Sequence, residues 1–373
     1  MFDIGITEIN SLAYFYCFFM FIITYTIGIR QIKFEPYGIQ SNGGKLLFYL
    51  LLYVILMTAF ANTDYFSYQQ LTKMAIGHSV PHLEDVYGYI IEFCNNNYFM
   101  FRTIVWGGAV VLISMATKLA KVSTPHVLFF LFLFFFPTFD YARASLAMAI
   151  YYLGIVLLLN TGSRGHGLLS KVLGMILVFT SYFFHKSMVA MIVLVPLLLL
   201  PLNKKTLLLL LFSTPIILYL VKGVLFSFIG LDFSNDELGE LNQTFSKYTE
   251  REDLGFANWK GILSSIFAYA LFYVPFYYIV KSFLKSTSPS SFNNQIFKIL
   301  IGVMLLCHSM FMLGPQSYSL YYRYLYMSMI PMSILLVSLF ENGNLSLRSI
   351  NKLISIGFIC RLMLLLAGSM SHL

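Results

Sequence analysis

The sequence predicts an all-α polytopic membrane protein that forms a single transmembrane domain over residues 1–373. Composition is the first observation: 58% of the residues are hydrophobic and 11% are charged, whereas soluble domains carry roughly a quarter charged residues. The second is a mean hydropathy of +0.77. The third is the recurrence of long apolar runs along the whole chain. So few charges cannot cover a surface that faces water, which excludes soluble enzymes, disordered tails and secreted disulfide scaffolds.

About twelve of these runs are long enough, with their flanks, to cross the hydrocarbon, which takes about 17 to 25 residues. Several are short and share boundaries, which is the pattern of broken or re-entrant helices. The first run is not expected to be a cleaved signal, because acidic residues precede it and Arg30 and Lys33 follow it. The approximate cores are residues 11–29, 46–61, 103–117, 124–139, 144–159, 172–184, 187–202, 206–221, 261–280, 297–313, 324–340 and 353–368.

The positions of the charges predict which side of the membrane each loop occupies. With the N-terminus outside and the spans alternating, the inner loops carry fourteen Lys and Arg and two acidic residues. The outer segments carry nine Lys and Arg and the remaining fourteen acidic residues. This asymmetry follows the positive-inside rule. The net charge of +8 is therefore attributed to cytoplasmic loops, and no nucleic-acid partner is expected.

Two outer, periplasmic loops are long, at about residues 62–102 and 222–260, whereas every inner loop is short. Long polar loops above a rigid helical bundle commonly carry binding residues. The working face is therefore expected outside the bacterial cytoplasmic (inner) membrane. The second loop is acidic and lacks the ligand spacing of a calcium loop, so a mobile lid or spacer is expected there.

Cationic and histidine side chains at the outer mouths of the spans are candidates for function, because ionisable groups at membrane depth are costly. Arg143, in FDYARASLAMAIYY, either pairs with Asp140 or snorkels, or it presents its guanidinium fork to a phosphate. His185 and Lys186, in SYFFHKSMVAMI, are either interfacial residues or a proton acceptor beside a cation. Arg323 lies among tyrosines, which form either an aromatic belt or a stacking surface for sugars.

The first outer loop supplies further candidates. NTDYFSYQQ contains Asp64, Tyr65 and Tyr68, and PHLEDVYGYIIEF contains Glu84. Carboxylates among aromatic side chains suit the recognition of polyhydroxylated ligands. Two histidines precede Glu84, but Pro81 breaks the helix that would align them. No metal site is therefore expected in this loop.

Several catalytic motifs are missing from the sequence. There is no GxxxxGK[ST], no GxGxxG after a strand, no GxSxG and no HExxH. An Asp-Asp or Asp-Glu pair in an early loop, the mark of many metal-dependent lipid-linked glycosyltransferases, is missing as well. A metal-independent reaction without a cofactor is therefore expected.

Arg361, within the last span, requires a carboxylate, a carbonyl or a ligand phosphate as its partner.

The candidate residues described above, taken in their order along the chain, resemble the motifs of the EpsG/Wzy-type family of bacterial membrane polysaccharide polymerases. The resemblance covers roughly residues 60–335, and Ala144 stands where the family often has Gln. The matching pieces are Asp64 with Tyr65, Glu84 with Tyr87, Arg143 with Ala144 and Ala147, FHKS from Phe184 to Ser187, and YYRY from Tyr321 to Tyr324.

The resemblance implies an oligosaccharide repeat-unit polymerase for O-antigen (lipopolysaccharide), capsule or exopolysaccharide synthesis. The growing chain on undecaprenyl diphosphate would be the donor, and a hydroxyl of a new lipid-linked repeat unit the acceptor. Arg143, Arg323 and Lys186 are expected to hold the diphosphate, and His185 or Asp64 to act as the base. The groups expected to recognise sugars are Glu84, Tyr65, Tyr68, Tyr141 and Tyr322.

Two other functions remain open at this stage. An O-antigen-type ligase would share the cations and the histidine on the outer face. A lipid-linked oligosaccharide flippase or transporter would also be a polytopic helical protein, but it would be expected to show internal repeats, and none is visible. A chain-length regulator and a flippase are the protein partners that a polymerase would have.

Overall fold

The computed structural model describes residues 8–31, 42–61, 63–74, 84–136, 142–159, 167–201, 203–228, 259–286, 290–313 and 324–371. Within these ranges the regular structure is helical throughout, as predicted. The first helices are α1 (Ser11–Gln31), α2 (Asn42–Met57), α3 (Thr63–Met74), α4 (Asp85–Phe93), α5 (Tyr98–Leu119), α6 (Thr124–Phe135) and α7 (Ala142–Leu159). They are followed by α8 (Gly167–Phe184), α9 (Met188–Val193), a 3-10 turn (Val195–Leu198), α10 (Lys204–Phe228), α11 (Trp259–Lys285), α12 (Ser291–Leu313), α13 (Met329–Glu341) and α14 (Leu347–Ser371).

The prediction of a polytopic membrane protein is confirmed, and the described part of each of the twelve predicted cores contains helix. In the described part of the chain, six helical segments are long and apolar enough to cross a membrane. Twelve crossings and the side of each loop stay predictions. The six segments are Ser11–Arg30, Tyr98–Leu119, Gly167–Phe184, Ile266–Lys285, Tyr324–Glu341 and Leu347–Ala367. Shorter apolar helices are Gly43–Met57, Thr124–Phe135, Ala144–Leu159, Met188–Leu198 and Lys205–Ile217.

The first predicted outer segment, 62–102, is largely helical, and its helix α4 agrees with the helical spacing of Tyr87, Ile90, Ile91 and Cys94 in the sequence. Helices α3 and α4 lie within it, and α5 begins at Tyr98, before the predicted end of the loop at Arg102. The second predicted loop lies between α10 and α11, and its residues 229–258 are outside the described residues.

Helix α6 lies at the centre of the bundle, because it is apolar on every side. From His126 to Phe135 every residue is buried, which is the pattern of a helix enclosed by other helices. Phe132 packs on Phe21 of α1, with ring centroids 5.1 Å apart, and Phe135 packs on Phe272 of α11 at 5.2 Å. Helix α8, by contrast, exposes most of its apolar side chains and therefore lies at the periphery.

Helices α7 and α8 are in backbone contact at a pair of glycines. A Cβ atom added to Gly154 would lie 2.7 Å from the carbonyl oxygen of Gly174, and one added to Gly174 would lie 2.8 Å from that of Gly154. Small residues allow this close approach of membrane helices. The contact fixes the antiparallel pair in register, and it therefore sets the level of the residues at their ends.

Three cations are buried among the described residues, and each donates a hydrogen bond to a main-chain carbonyl at or just after the end of a short helical segment. The last carbonyls of a helix have no partner within the helix and carry its negative dipole. Water is not available to them in the hydrocarbon. The pairs are Arg102 with Leu56 of α2, Arg361 with Phe134 of α6, and Lys298 with Leu200 after the 3-10 turn.

These contacts decide two points that the sequence left open or assigned differently. The partner of Arg361 is a carbonyl, one of the three possibilities. Lys298 is one of the fourteen bases that the topology above counts in the inner loops, but it lies within α12 with 3% of its surface exposed. Its ammonium group binds the Leu200 oxygen at 2.6 Å. All four cysteines are free and buried.

Replacement of Arg361 by Met should destabilise the protein, because the Phe134 carbonyl then loses its donor inside the bundle. An unsatisfied buried polar group costs about 1–3 kcal/mol, so the unfolding temperature of the detergent-purified protein should fall. Arg348→Met is the matched control, since Arg348 is exposed on the same helix. Equal stability of the two variants would contradict the role assigned to Arg361.

Candidate functional site

A carboxylate from the first predicted outer loop contacts the end of α8. Glu84 Oε1 lies 3.2 Å from His185 Nδ1, and the Lys186 backbone N–H donates to the same oxygen at 3.3 Å. The His185 and Glu84 side chains are 10% and 9% exposed. The structure thus brings together two predicted site residues that are 101 positions apart in sequence. We call this the Glu84–His185 contact.

Local structure positions both members of the contact. His185 lies at a break between α8 and α9, where its N–H donates to Ser181 and its carbonyl accepts from Met188. Glu84 is the N-cap residue of α4, but its side chain makes no capping bond to that helix. Glu is not among the residue types favoured at an N-cap. Here its carboxylate is directed across to α8 instead.

The Glu84–His185 contact has the chemistry of a carboxylate–imidazole pair. A neutral imidazole that donates its Nδ1 proton to a carboxylate carries its lone pair on Nε2. The carboxylate fixes that tautomer and stabilises the imidazolium that forms when Nε2 accepts a proton. The arrangement therefore suits a general base. The Lys186 side chain is exposed beside it, so only its main chain takes part in the contact.

Aromatic rings connect this contact to α3, which carries Asp64, Tyr65 and Tyr68. Adjacent rings in the series have centroids between 5.3 and 6.3 Å apart. Such separations are typical of favourable aromatic pairs. The series runs from Tyr65 to Tyr98, Phe101, Tyr87 and Phe184, the residue before His185. Helices α3, α4 and α5 and the end of α8 are therefore joined by continuous packing.

Arg102 is a residue that the sequence reasoning missed. Its guanidinium carbon lies 4.4 Å from the ring centroid of Tyr65 and 4.1 Å from that of Trp106. Its Nη1 donates to the Tyr98 hydroxyl at 3.1 Å, and that hydroxyl donates to the Tyr65 carbonyl at 2.6 Å. Arg102 thus ties α3 to α5 and to the end of α2. The signal in the sequence was the i, i+4, i+8 spacing of Tyr98, Arg102 and Trp106 on one helix face.

The predicted substrate tyrosines of α3 have structural contacts of this kind. Tyr65 packs on Arg102 and Tyr98, and Tyr68 is buried with 5% of its surface exposed. Asp64 lies in the first turn of α3, next to Tyr65, and its side chain is outside the described part of the chain. Substrate roles for these residues stay predictions.

Arg143 lies in the first turn of α7, at the same end of the bundle as His185. Arg143 is eleven residues before Gly154 on α7, and His185 is eleven residues after Gly174 at the end of α8. Arg143 and His185 are therefore each about 16 Å from the glycine contact, measured along the helix. Because the helices are antiparallel, the two positions are at the same level. The Arg143 side chain is outside the described residues. So are the whole of Tyr141, Tyr322 and Arg323.

Within the described ranges, no three His, Cys, Asp or Glu residues are grouped closely enough to hold a metal ion. The two histidines near Pro81 lie outside those ranges. Burial raises the pKa of the Cys94 thiol, at the end of α4. A thiol of this kind is an apolar packing group and a poor nucleophile.

Comparison with protein-family models gives a match to the EpsG family over residues 43–373. The matched range includes α2 and every later helix, and it contains both members of the Glu84–His185 contact. Neither a comparison with curated proteins nor one with solved structures gives a match.

A double-mutant cycle should show that Glu84 and His185 depend on each other. Glu84→Ala and His185→Ala should each lower the free energy of unfolding by about 1–3 kcal/mol, because each substitution leaves the buried polar partner without its hydrogen bond. The double variant should lose less stability than the two single variants lose together, and the difference, the coupling free energy, should be about 0.5–3 kcal/mol. Lys186→Ala retains its backbone N–H and should leave stability unchanged. Strictly additive losses in detergent would show that the contact does not form.

Proposed function

The chain belongs to the EpsG family, a family of Wzy-type polysaccharide polymerase-like membrane proteins, and on that basis we propose that it joins lipid-linked oligosaccharide repeat units into a polysaccharide. The reaction is glycosyl transfer at the outer face of the bacterial cytoplasmic membrane. The Glu84–His185 contact is the observation that carries the proposal. It supplies a positioned base, which can accept the proton of an acceptor hydroxyl in glycosyl transfer.

The transfer breaks one bond and forms another at the anomeric carbon of the donor sugar. The donor is the growing chain on undecaprenyl diphosphate, and the acceptor is a sugar hydroxyl of a new repeat unit on the same lipid. The acceptor oxygen bonds the anomeric carbon, and the bond from that carbon to the diphosphate oxygen breaks. The acceptor proton passes to the base, and undecaprenyl diphosphate leaves with the electron pair.

His185 is the base in this proposal, and Glu84 is its positioning residue. The 3.2 Å contact between Nδ1 and the carboxylate directs Nε2 as the proton acceptor. General-base catalysis of this kind contributes typically 10²- to 10⁴-fold to a rate. Asp64 remains the second candidate, because α3 is tied to the same layer of aromatic rings. The sugar-binding role first expected of Glu84 becomes secondary, since its carboxylate already binds His185.

Cations near His185 are proposed to neutralise the departing diphosphate. Arg143 lies in the first turn of α7 at the level of His185, and the exposed Lys186 side chain is next to His185. Arg323 is proposed as the third cation on its sequence context of tyrosines. Guanidinium groups bind phosphate oxygens in pairs, so they stabilise the leaving group without a metal ion. Tyrosines near these cations are proposed to hold the sugars.

Deletion of the gene in its host tests the proposal at the level of the polymer. A strain without the polymerase should display single repeat units on the outer acceptor, visible as the loss of the ladder on a polysaccharide gel. Full-length chains that never reach the acceptor would instead identify a ligase. Lipid-linked units trapped inside the cell would identify a flippase.

Complementation with variants tests the residues. Arg143→Ala, His185→Ala and Arg323→Ala should each lower chain growth at least ~10²-fold, the loss expected when a catalytic group is removed. Arg348→Ala, an exposed substitution in the first turn of α14, is the control and should restore the full ladder. Protein levels are compared by immunoblot. If two of the three variants polymerise normally, the proposed site is wrong.

A further inference from the structure

An apolar groove lies between α2 and α5 and opens at the surface of the bundle. Its volume is about 400 Å³. Leu52 and Leu56 of α2 form one wall, and Val110 and Val111 of α5 form the other. Val111 is 58% exposed, so the groove is open to the surroundings along its side. A surface of this composition on a membrane protein faces lipid chains.

The length of the groove is that of one leaflet. Its lining extends along α5 from Trp106 to Lys118, which is twelve residues and about 18 Å of helix. Half of a hydrocarbon core of about 30 Å is about 15 Å. A single acyl chain therefore fits along the groove, with its polar end just beyond the hydrocarbon.

The two ends of the groove differ in polarity. At one end is Lys118, which is exposed, together with the hydroxyl groups of Ser114 and Thr124. At the other end is Trp106, whose ring covers Arg102. Arg102 has 1% of its surface exposed and already binds Leu56 and Tyr98. The anionic part of a ligand therefore matches the Lys118 end, and the apolar part matches the Trp106 end.

We propose that this groove binds a phospholipid with an anionic headgroup, with one acyl chain between α2 and α5 and the phosphate at Lys118. The positive charge of Lys118 favours an anionic headgroup, and the groove is long enough for one acyl chain. The site is separate from the Glu84–His185 contact, and the proposal does not depend on the proposed polymerase reaction. The bound lipid supports α2, whose last turn supplies the carbonyl that Arg102 binds.

Lipid titration monitored by native mass spectrometry tests this site, with phosphatidylglycerol and phosphatidylcholine as the probes and the full chain purified in detergent. A Cβ atom added to Gly107 meets no atom within 4 Å, so Gly107→Phe fills the groove without a backbone clash. It should reduce phosphatidylglycerol retention at least ~10-fold, a loss of about 1.4 kcal/mol in binding. Gly43→Phe is the matched control, because Gly43 is equally unobstructed but does not line the groove.

Substitution of Lys118 tests the recognition of the headgroup, and this test does not depend on whether the Gly107→Phe protein folds. A Lys near a phosphate-bearing surface contributes about 1 kcal/mol, so Lys118→Gln should weaken phosphatidylglycerol binding about fivefold and remove its preference over phosphatidylcholine. Lys121→Gln, at an exposed lysine outside the groove, should keep both. Equal binding by the Lys118 and Lys121 variants would overturn the proposal. So would unchanged retention by Gly107→Phe, or displacement of phosphatidylglycerol by a lower concentration of undecaprenyl phosphate.

Discussion

A helix that ends inside a membrane protein needs a donor for its last carbonyl groups, and the arrangement of this bundle depends on how that need is met. The hydrocarbon offers no water, so the donor has to come from another part of the chain. Helices α2, α6 and the segment from α9 to the 3-10 turn are shorter than the roughly 20 residues that a full crossing takes. Each is completed by a buried cation from a neighbouring helix. The helix dipole and the carbonyl offset part of the cost of burying each cation.

One of these cations also organises the candidate site. Arg102 binds the end of α2, and its guanidinium packs between Tyr65 and Trp106. From Tyr65 the ring contacts continue through α5 and α4 to Phe184 at the end of α8. The Glu84–His185 contact lies at that end. The base proposed for the reaction therefore sits on a rigid layer of helices, and α3, with Asp64, belongs to the same layer.

The helices and their membrane character could be predicted from the sequence, because apolar runs of sufficient length have one stable form in lipid. The residue types at the site could be predicted too, since His185 and Glu84 are ionisable groups beside apolar segments. Their contact could not be predicted, because it joins positions 101 residues apart and no local pattern encodes it. The partner of Arg361 was undetermined for the same reason, since a carbonyl leaves no mark in the sequence. Helix α3 within the first loop was not predicted, because its apolar content is low.

The central claim is that this chain by itself extends a lipid-linked oligosaccharide. The most direct measurement is a reconstitution of the purified protein in lipid vesicles with one lipid-linked repeat unit as both donor and acceptor, followed by mass spectrometry of the lipid extract. The account predicts lipid-linked dimers and longer chains, with one undecaprenyl diphosphate released for each linkage, and no such products from the His185→Ala protein. Release of free oligosaccharide without any dimer, or equal dimer formation by the His185→Ala protein, would contradict it.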